Sequence, residues 1–224
     1  MYERLLAEYG PQQWWPAETA FEVVVGAYLT QNTSWRAVER SIANLAAHQS
    51  LSVEGIRSLP EEELRQLIRP SGYMVRKAAA LQAFVAFLER DHGGSLEALA
   101  AAPAADSRVK LLALPGVGPE TADAILLYAL GKPAMVVDEY LRRIVTRHRL
   151  MPEKAKYAEI QALGTEALRE VAPETLAQHC NEFHALVVMV GKTHCGPKPK
   201  CEGCPLAGFL PKDALVPSLP GTLP

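Results

Sequence analysis

The 224-residue sequence predicts an all-α fold. Three observations carry that expectation. Apolar residues recur at helical spacing in nearly every segment. No pair of runs alternates cleanly in the manner of a β-hairpin. Proline and glycine clusters break the chain at helix-length intervals: Gly10-Pro11, Pro60, Pro70-Ser71-Gly72, His92-Gly93-Gly94, Pro115-Gly116, Gly131-Lys132-Pro133, Pro152 and Pro173.

Taken in order, the helical stripes are as follows. Phe21, Val24, Val25 and Tyr28 form the first; Val38, Ile42 and Leu45 the second; Leu81, Phe84, Val85 and Leu88 the third. Leu141, Ile144 and Val145 follow, then Ile160, Leu163, Leu168 and Val171, then Phe183, Leu186, Val187 and Val190. These residues are the expected core. Hydrophobic residues make up 49% of the chain, enough to bury a sizeable interior. No apolar run approaches the ~18 residues of a membrane span, and Met1-Tyr2-Glu3-Arg4 lacks the pattern of a signal peptide. A cytoplasmic location is therefore expected. The tail from Pro211 carries four prolines and little periodicity, which predicts a loosely docked or disordered end. There is no internal repeat.

The net charge is −2, which argues against strong nonspecific binding to a polyanion. It leaves room for a local basic face. Arg142, Arg143, Arg147 and Arg149 are the candidates, with a solvated helix face as the plainer reading.

The most informative stretch is Leu114-Pro115-Gly116-Val117-Gly118, between two helix-like segments. Its two glycines allow a sharp turn and close approach of the backbone to a partner. Pro119 suits a first helical turn, and Thr121, Ala122, Ile125, Leu126 and Ala129 continue at helical spacing. Backbone N–H groups at the positive end of such a helix can hold a phosphate. Twenty residues after Gly118, past an apolar extended link, stands the carboxylate Asp138. By itself Asp138 also reads as an N-cap for a helix Glu139–His148.

The hairpin followed by Thr121-Ala122, with Val136-Val137-Asp138 at this offset, resembles the helix-hairpin-helix (HhH-GPD) DNA glycosylase superfamily, in its endonuclease III group. The resemblance covers about residues 18–205. It implies a two-lobed helical fold with the active-site cleft between the lobes: a six-helix lobe over residues 20–132 containing the hairpin, a second lobe of residues 1–19 plus 133–206, and a tail from 207 to 224. It also implies that Leu114, Gly116, Val117 and Gly118 grip a phosphate of double-stranded DNA, and that Asp138 drives base excision. The protein would act as a monomer, associated with the nucleoid.

Cleaving an N-glycosidic bond builds positive charge on the sugar. A fixed carboxylate stabilises that charge and orients or deprotonates water. Family members that also nick the strand use a lysine, in Gly-x-Lys-Thr-Ala, as a Schiff-base nucleophile. Here the matching residue is Glu120, which cannot form an imine. The resemblance therefore implies a monofunctional glycosylase without strong lyase activity. Glu120 either lines the base pocket and favours a cationic base, or is an acid favoured by the helix dipole.

Trp14-Trp15-Pro16, the run Thr30-Gln31-Asn32-Thr33-Ser34-Trp35 and Val136-Val137-Asp138-Glu139-Tyr140 are similar to the 3-methyladenine glycosylase branch. There a Trp before the first helix and the aromatic after Gln-Asn-Thr sandwich the flipped base. Those roles fall on Trp14 or Trp15 and on Trp35. Against an alkylated, cationic purine an indole adds about 0.5–2 kcal/mol of cation–π attraction. The plainer reading of all three is core. Gln31 matches the glutamine that fills the gap left by the flipped nucleotide, or is a helix-end hydrogen-bonder. Tyr73 matches the residue wedged into the opposite strand, or anchors its loop.

The family's iron–sulfur motif is Cys-x6-Cys-x2-Cys-x5-Cys. Cys195, Cys201 and Cys204 copy its first three members with one residue deleted, while Leu210 stands at the fourth place. Cys180 is expected to lie before a helix Asn181–Val190. A [4Fe-4S] cluster with an unidentified fourth ligand is one expectation, with Asp213 a candidate; a metal-free thiol loop is the other. Lys198 and Lys200 in that loop are candidate phosphate contacts. The substrate expected is an alkylated purine such as 3-methyladenine. The alternatives are an endonuclease III-like enzyme for oxidised or mismatched bases, and a DNA-binding homologue without catalysis.

Overall fold

A computed structural model describes residues 1–14 and 17–211. Trp15 and Asp213, both candidates above, lie outside the described residues. Among those described, α-helices joined by turns and short 3-10 segments make up the chain, with no strand. No described helix is long and apolar enough to cross a membrane. The chain divides into two units. One, the carboxylate unit, contains Met1–Trp14, Val137–Ala172 and the described residues from Asn181 onward. The other, the hairpin unit, contains the described residues within Trp15–Val136 together with Pro173–Cys180. Helix α1 (Tyr2–Tyr9) opens the carboxylate unit.

The hairpin unit is built around α2 (Ala20–Leu29), whose start is fixed by Thr19 Oγ1 accepting the Glu22 N–H at 3.1 Å. Apolar residues run round this helix, and Val24, Val25 and Leu29 are fully buried. Each such side chain contributes about 1.5–3 kcal/mol relative to exposure. Helix α3 (Trp35–Ala47) buries Val38 and Leu45 as expected. Between them Ser41, rather than Ile42, is buried. Ser41 takes the inner position because its hydroxyl accepts from Ser71 Oγ at 2.7 Å and donates to the Ile68 carbonyl at 3.2 Å. Next come α4 (Val53–Ser58), α5 (Glu61–Leu67), α6 (Met74–His92), α7 (Leu96–Ala101), α8 (Ala104–Leu112) and α9 (Pro119–Ala124). Residues 20–132 thus hold more than the six helices expected. The short α4 and α7 are separate because Ser52 and Ser95 each cap their first turn, accepting from Gly55 N–H and Ala98 N–H. Inside α6, Phe84 meets Tyr28 at 5.9 Å and Phe87 at 6.2 Å between ring centroids. After α9 the chain widens into a π-helical turn over Ile125–Ala129.

In the carboxylate unit, α10 (Glu139–Arg147) buries Leu141, Ile144 and Val145, as the sequence predicts. Helix α11 (Tyr157–Ala167) departs from expectation: Ile160 is buried, Leu163 is exposed, and Leu168 and Val171 fall beyond its end. Helix α12 runs over Pro173–Thr193 and contains Cys180. The expected start at Asn181 is therefore wrong. Pro173 sits in the first turn, where its missing N–H costs no intrahelical bond, so the break expected there is the start of the helix. Gly191 of α12 lets Tyr140 of α10 pack against bare backbone; a Cβ there would come within 2.3 Å of the tyrosine ring.

Candidate functional site

In the hairpin unit, α8 and α9 flank a turn closed by Val117 N–H donating to the Leu114 carbonyl at 3.2 Å. Gly116 has φ +74°, the left-handed region that favours glycine, and a Cβ there would crowd Ala80 at 3.2 Å. Val117 is buried and anchors the turn, while Gly116 and Gly118 are exposed. Gly118 is extended and caps α9 with no side chain, and Pro119 follows in the first turn. Gln31 bonds to this turn: its Nε2 donates to the Gly116 carbonyl at 2.9 Å and to Thr121 Oγ1 at 3.0 Å. Arg108 of α8 forms a bidentate pair with the buried Asp123 of α9, at 2.6 and 3.0 Å. Glu120 is an exposed acid in the first turn of α9. Trp35 opens α3 and is half-buried.

Tyr73 is 61% exposed and holds φ +47°, an uncommon conformation for a residue with a Cβ. Beneath it lies Lys77, which sequence reasoning missed. Lys77 is buried, and its Nζ donates to the Leu29 and Ser71 carbonyls, both at 2.8 Å. Thr33 Oγ1 donates to the same Ser71 carbonyl at 2.8 Å. The Lys77 ammonium lies 5.9 Å from the Tyr73 ring centroid. Burial pushes the Lys77 pKa down to about 8. A lysine two positions from Val75, in an otherwise unremarkable helix start, carried no sequence signal of this role.

In the carboxylate unit, Asp138 caps α10: its Oδ1 accepts the Leu141 N–H at 2.7 Å. The preceding Val137 N–H donates to the Tyr157 hydroxyl at 3.3 Å, which fixes the approach to the cap. The other carboxylate oxygen, Oδ2, faces His184 Nε2 of α12 at 3.6 Å. Both side chains are nearly buried, at 8% exposed for His184 and 12% for Asp138. Trp14 packs on the imidazole with ring centroids 5.8 Å apart. Glu182, one half-turn earlier on α12, accepts the backbone N–H groups of Gln12 and Gln13 and so ties the Trp14 segment to the helix. Asp138, His184 and Trp14 thus form one constellation, of which sequence reasoning found the first and third.

The arginines expected to form a basic face are mostly committed within the fold. Arg142 donates to the Ala155 carbonyl, and Arg143 pairs with Glu139 at 3.0 Å. Arg147 donates to the Gly196 and Pro197 carbonyls, at 2.8 and 3.0 Å, and to Cys195 Sγ at 3.1 Å. Arg149 is exposed.

The expectation of a metal at Cys195, Cys201 and Cys204 is not met by the donor set. Among the described residues no three or more His, Cys, Asp or Glu side chains are grouped to hold a metal ion. Leu210 offers no ligand atom, and Cys195 Sγ accepts an N–H from Arg147 at 3.1 Å. Burial pushes the Cys204 thiol up, and Cys201 and Cys195 nearby add to that. Among the described residues Cys195, Cys201 and Cys204 are therefore not assembled into a cluster site, and the candidate fourth ligand Asp213 lies outside those residues.

With this geometry in hand, the comparisons decide the family. Residues 25–170 match the HhH-GPD superfamily base excision DNA repair protein. The chain belongs to this superfamily. A putative DNA repair glycosylase of Methanocaldococcus jannaschii is 43% identical over 210 residues, 93% of either chain. Endonuclease III of Thermotoga maritima is 31% identical over 189 residues, covering 82% of this chain and 79% of the relative. Among solved structures, the H. pylori 3-methyladenine DNA glycosylase (MagIII) bound to 1,N6-ethenoadenine superposes with a TM-score of 0.75 at 30% identity, over 85% of this chain and 96% of that one. The HhH-GPD chain described here is accordingly an all-helical DNA glycosylase of endonuclease III type.

Proposed function

We propose that this HhH-GPD glycosylase hydrolyses the N-glycosidic bond of alkylated purines in double-stranded DNA and leaves the strand intact. The observation that carries the reading is Asp138, whose carboxylate is held at its Oδ1 by the α10 cap and faces His184 through its Oδ2, with Trp14 packed on that histidine. As the C1′–N bond breaks, the base departs with the electron pair and the sugar becomes cationic. Asp138 stabilises that charge and takes a proton from the water that adds to C1′. A purine alkylated at N3 or N7 is itself cationic in the nucleotide and leaves as a neutral molecule, so for these bases the chemistry needs no separate acid. Trp14 and Trp35 supply indole faces suited to such a base. The likeness to a 3-methyladenine DNA glycosylase bound to 1,N6-ethenoadenine supports this substrate class. Glu120 in place of a lysine supports hydrolysis alone. In the same reading the Gly116–Gly118 turn receives a DNA phosphate, with Gln31 and Tyr73 entering the duplex around the vacated site.

A second reading is favoured by the likeness to endonuclease III: excision of oxidised or mismatched bases. Base release is measured on duplexes carrying methylated purines, 1,N6-ethenoadenine, thymine opposite guanine or an oxidised pyrimidine, with and without alkali. The expected result is release of the alkylated bases, with strand breaks only after alkali. Release confined to oxidised or mismatched bases, or breaks without alkali, would overturn the proposal.

A further inference from the structure

We propose that His184 is the positioning residue of Asp138: its Nε2 carries the proton and donates it to Oδ2, so that both carboxylate oxygens are held. The inference rests on the base-excision reading of Asp138. A carboxylate capped through one oxygen alone still turns about χ2, because the Leu141 N–H restrains Oδ1 and leaves Oδ2 to swing. A second donor removes that freedom. His184 Nε2 stands 3.6 Å from Oδ2, longer than a hydrogen bond, and the proposed donation requires the two groups to close by about 0.7 Å. Three features keep the imidazole there. Gly191, two helical turns further along α12, brings Tyr140 and hence α10 onto the same helix. Trp14 covers the ring face at 5.8 Å. Glu182 anchors the segment that delivers Trp14. The ring is nearly buried, so its contact with the carboxylate is little screened by water.

The tautomer follows from this placement. A bare Nε2 would set a lone pair against a buried carboxylate, whereas Nε2–H meets it with a donor. His184 acts through Asp138 and not on the sugar. Loss of the donor therefore lowers the rate of bond cleavage and leaves DNA affinity intact. A misplacement of a reacting group by about 1 Å costs about 100-fold in rate.

Two measurements test this on the full chain. Long-range proton–nitrogen NMR of wild-type protein, with His184 assigned by its absence in His184→Gln, is expected to show Nε2 protonated. A bare Nε2 with the proton on Nδ1 overturns the proposal whether or not the protein excises any base. Single-turnover base release from methylated-purine duplex is expected to fall about 100-fold in His184→Leu at nearly unchanged DNA Kd. His184→Gln, which keeps a donor of similar reach, is expected to recover most of it. In an Asp138→Asn background His184→Leu is expected to cost nothing further. Equal losses in both backgrounds, or no recovery with glutamine, would mark His184 as packing only and overturn the proposal. A wild-type protein with a protonated Nε2 that releases no base sinks the base-excision reading alone.

Discussion

The proposed function gives the one carboxylate of Asp138 two tasks, and the two come apart under substitution. As an N-cap it satisfies an amide of the first turn of α10. Asparagine caps as well as aspartate, whereas alanine does not. Asp138→Asn is therefore expected to melt close to wild type, and Asp138→Ala to lose about 1 kcal/mol of stability by denaturant unfolding. Equal losses in both variants would mean the cap contributes little. Lys77 makes a prediction in pH. Its pKa is about 8 in the folded protein and near 10.5 when free, so the unfolded chain binds the extra proton between those values. Stability from this group is fully present above about 10.5 and is lost as pH falls through about 8, with a slope of at most about 1.4 kcal/mol per pH unit. Against Lys77→Met, the wild-type protein is expected to gain relative stability from pH 8 to pH 10; a flat difference would show that the two carbonyls cancel the burial. At this scale sequence reasoning reached Asp138, because its offset from the hairpin is a pattern. It missed Lys77 and His184, because a single lysine or histidine acquires meaning only from what folds over it. It left Trp14 and Trp15 as equal candidates; Trp14 packs against His184, and Trp15 lies outside the described residues.

Among the elements, the helix-turn-helix of α8 and α9 was legible down to the role of Pro119, since Gly-x-Gly-Pro punctuation states both the turn and the next start. Less legible were helix ends defined by caps and by partners. Ser52 starts a short helix that sequence reasoning does not separate, and α12 begins at Pro173, ahead of the expected Asn181. The α10–α12 contact was invisible, because a glycine inside a helix looks like a weakness until its neighbour is known. Gly191→Ala puts a methyl group into the Tyr140 ring near its root, where the side chain has little freedom to move aside. Overpacking of this kind costs about 1–3 kcal/mol. Gly191→Ala is accordingly expected to lower the unfolding midpoint and to slow base release, since α10 carries Asp138. Unchanged stability would mean that α10 shifts freely on α12.

For the whole molecule, composition and pattern were enough for the all-helical class, and a few motif residues were enough for the superfamily that residues 25–170 match. The cysteine motif was legible as three thiols at near-family spacing; among the described residues the loop is held by Arg147 and by its own backbone, with the Lys200 N–H donating to the His194 carbonyl at 2.8 Å. The mild net charge agrees with arginines spent on the fold, Arg142 and Arg147 above all. What joins these observations is the assignment of Asp138 as the group that drives base release. Its most direct test is single-turnover release of methylated purines from duplex DNA by wild type and Asp138→Asn, with DNA affinity measured on the same preparations. The account predicts release by wild type, loss of about 100-fold or more in the variant, and matched affinity and stability. Release at the wild-type rate by a folded, DNA-binding Asp138→Asn protein would contradict it.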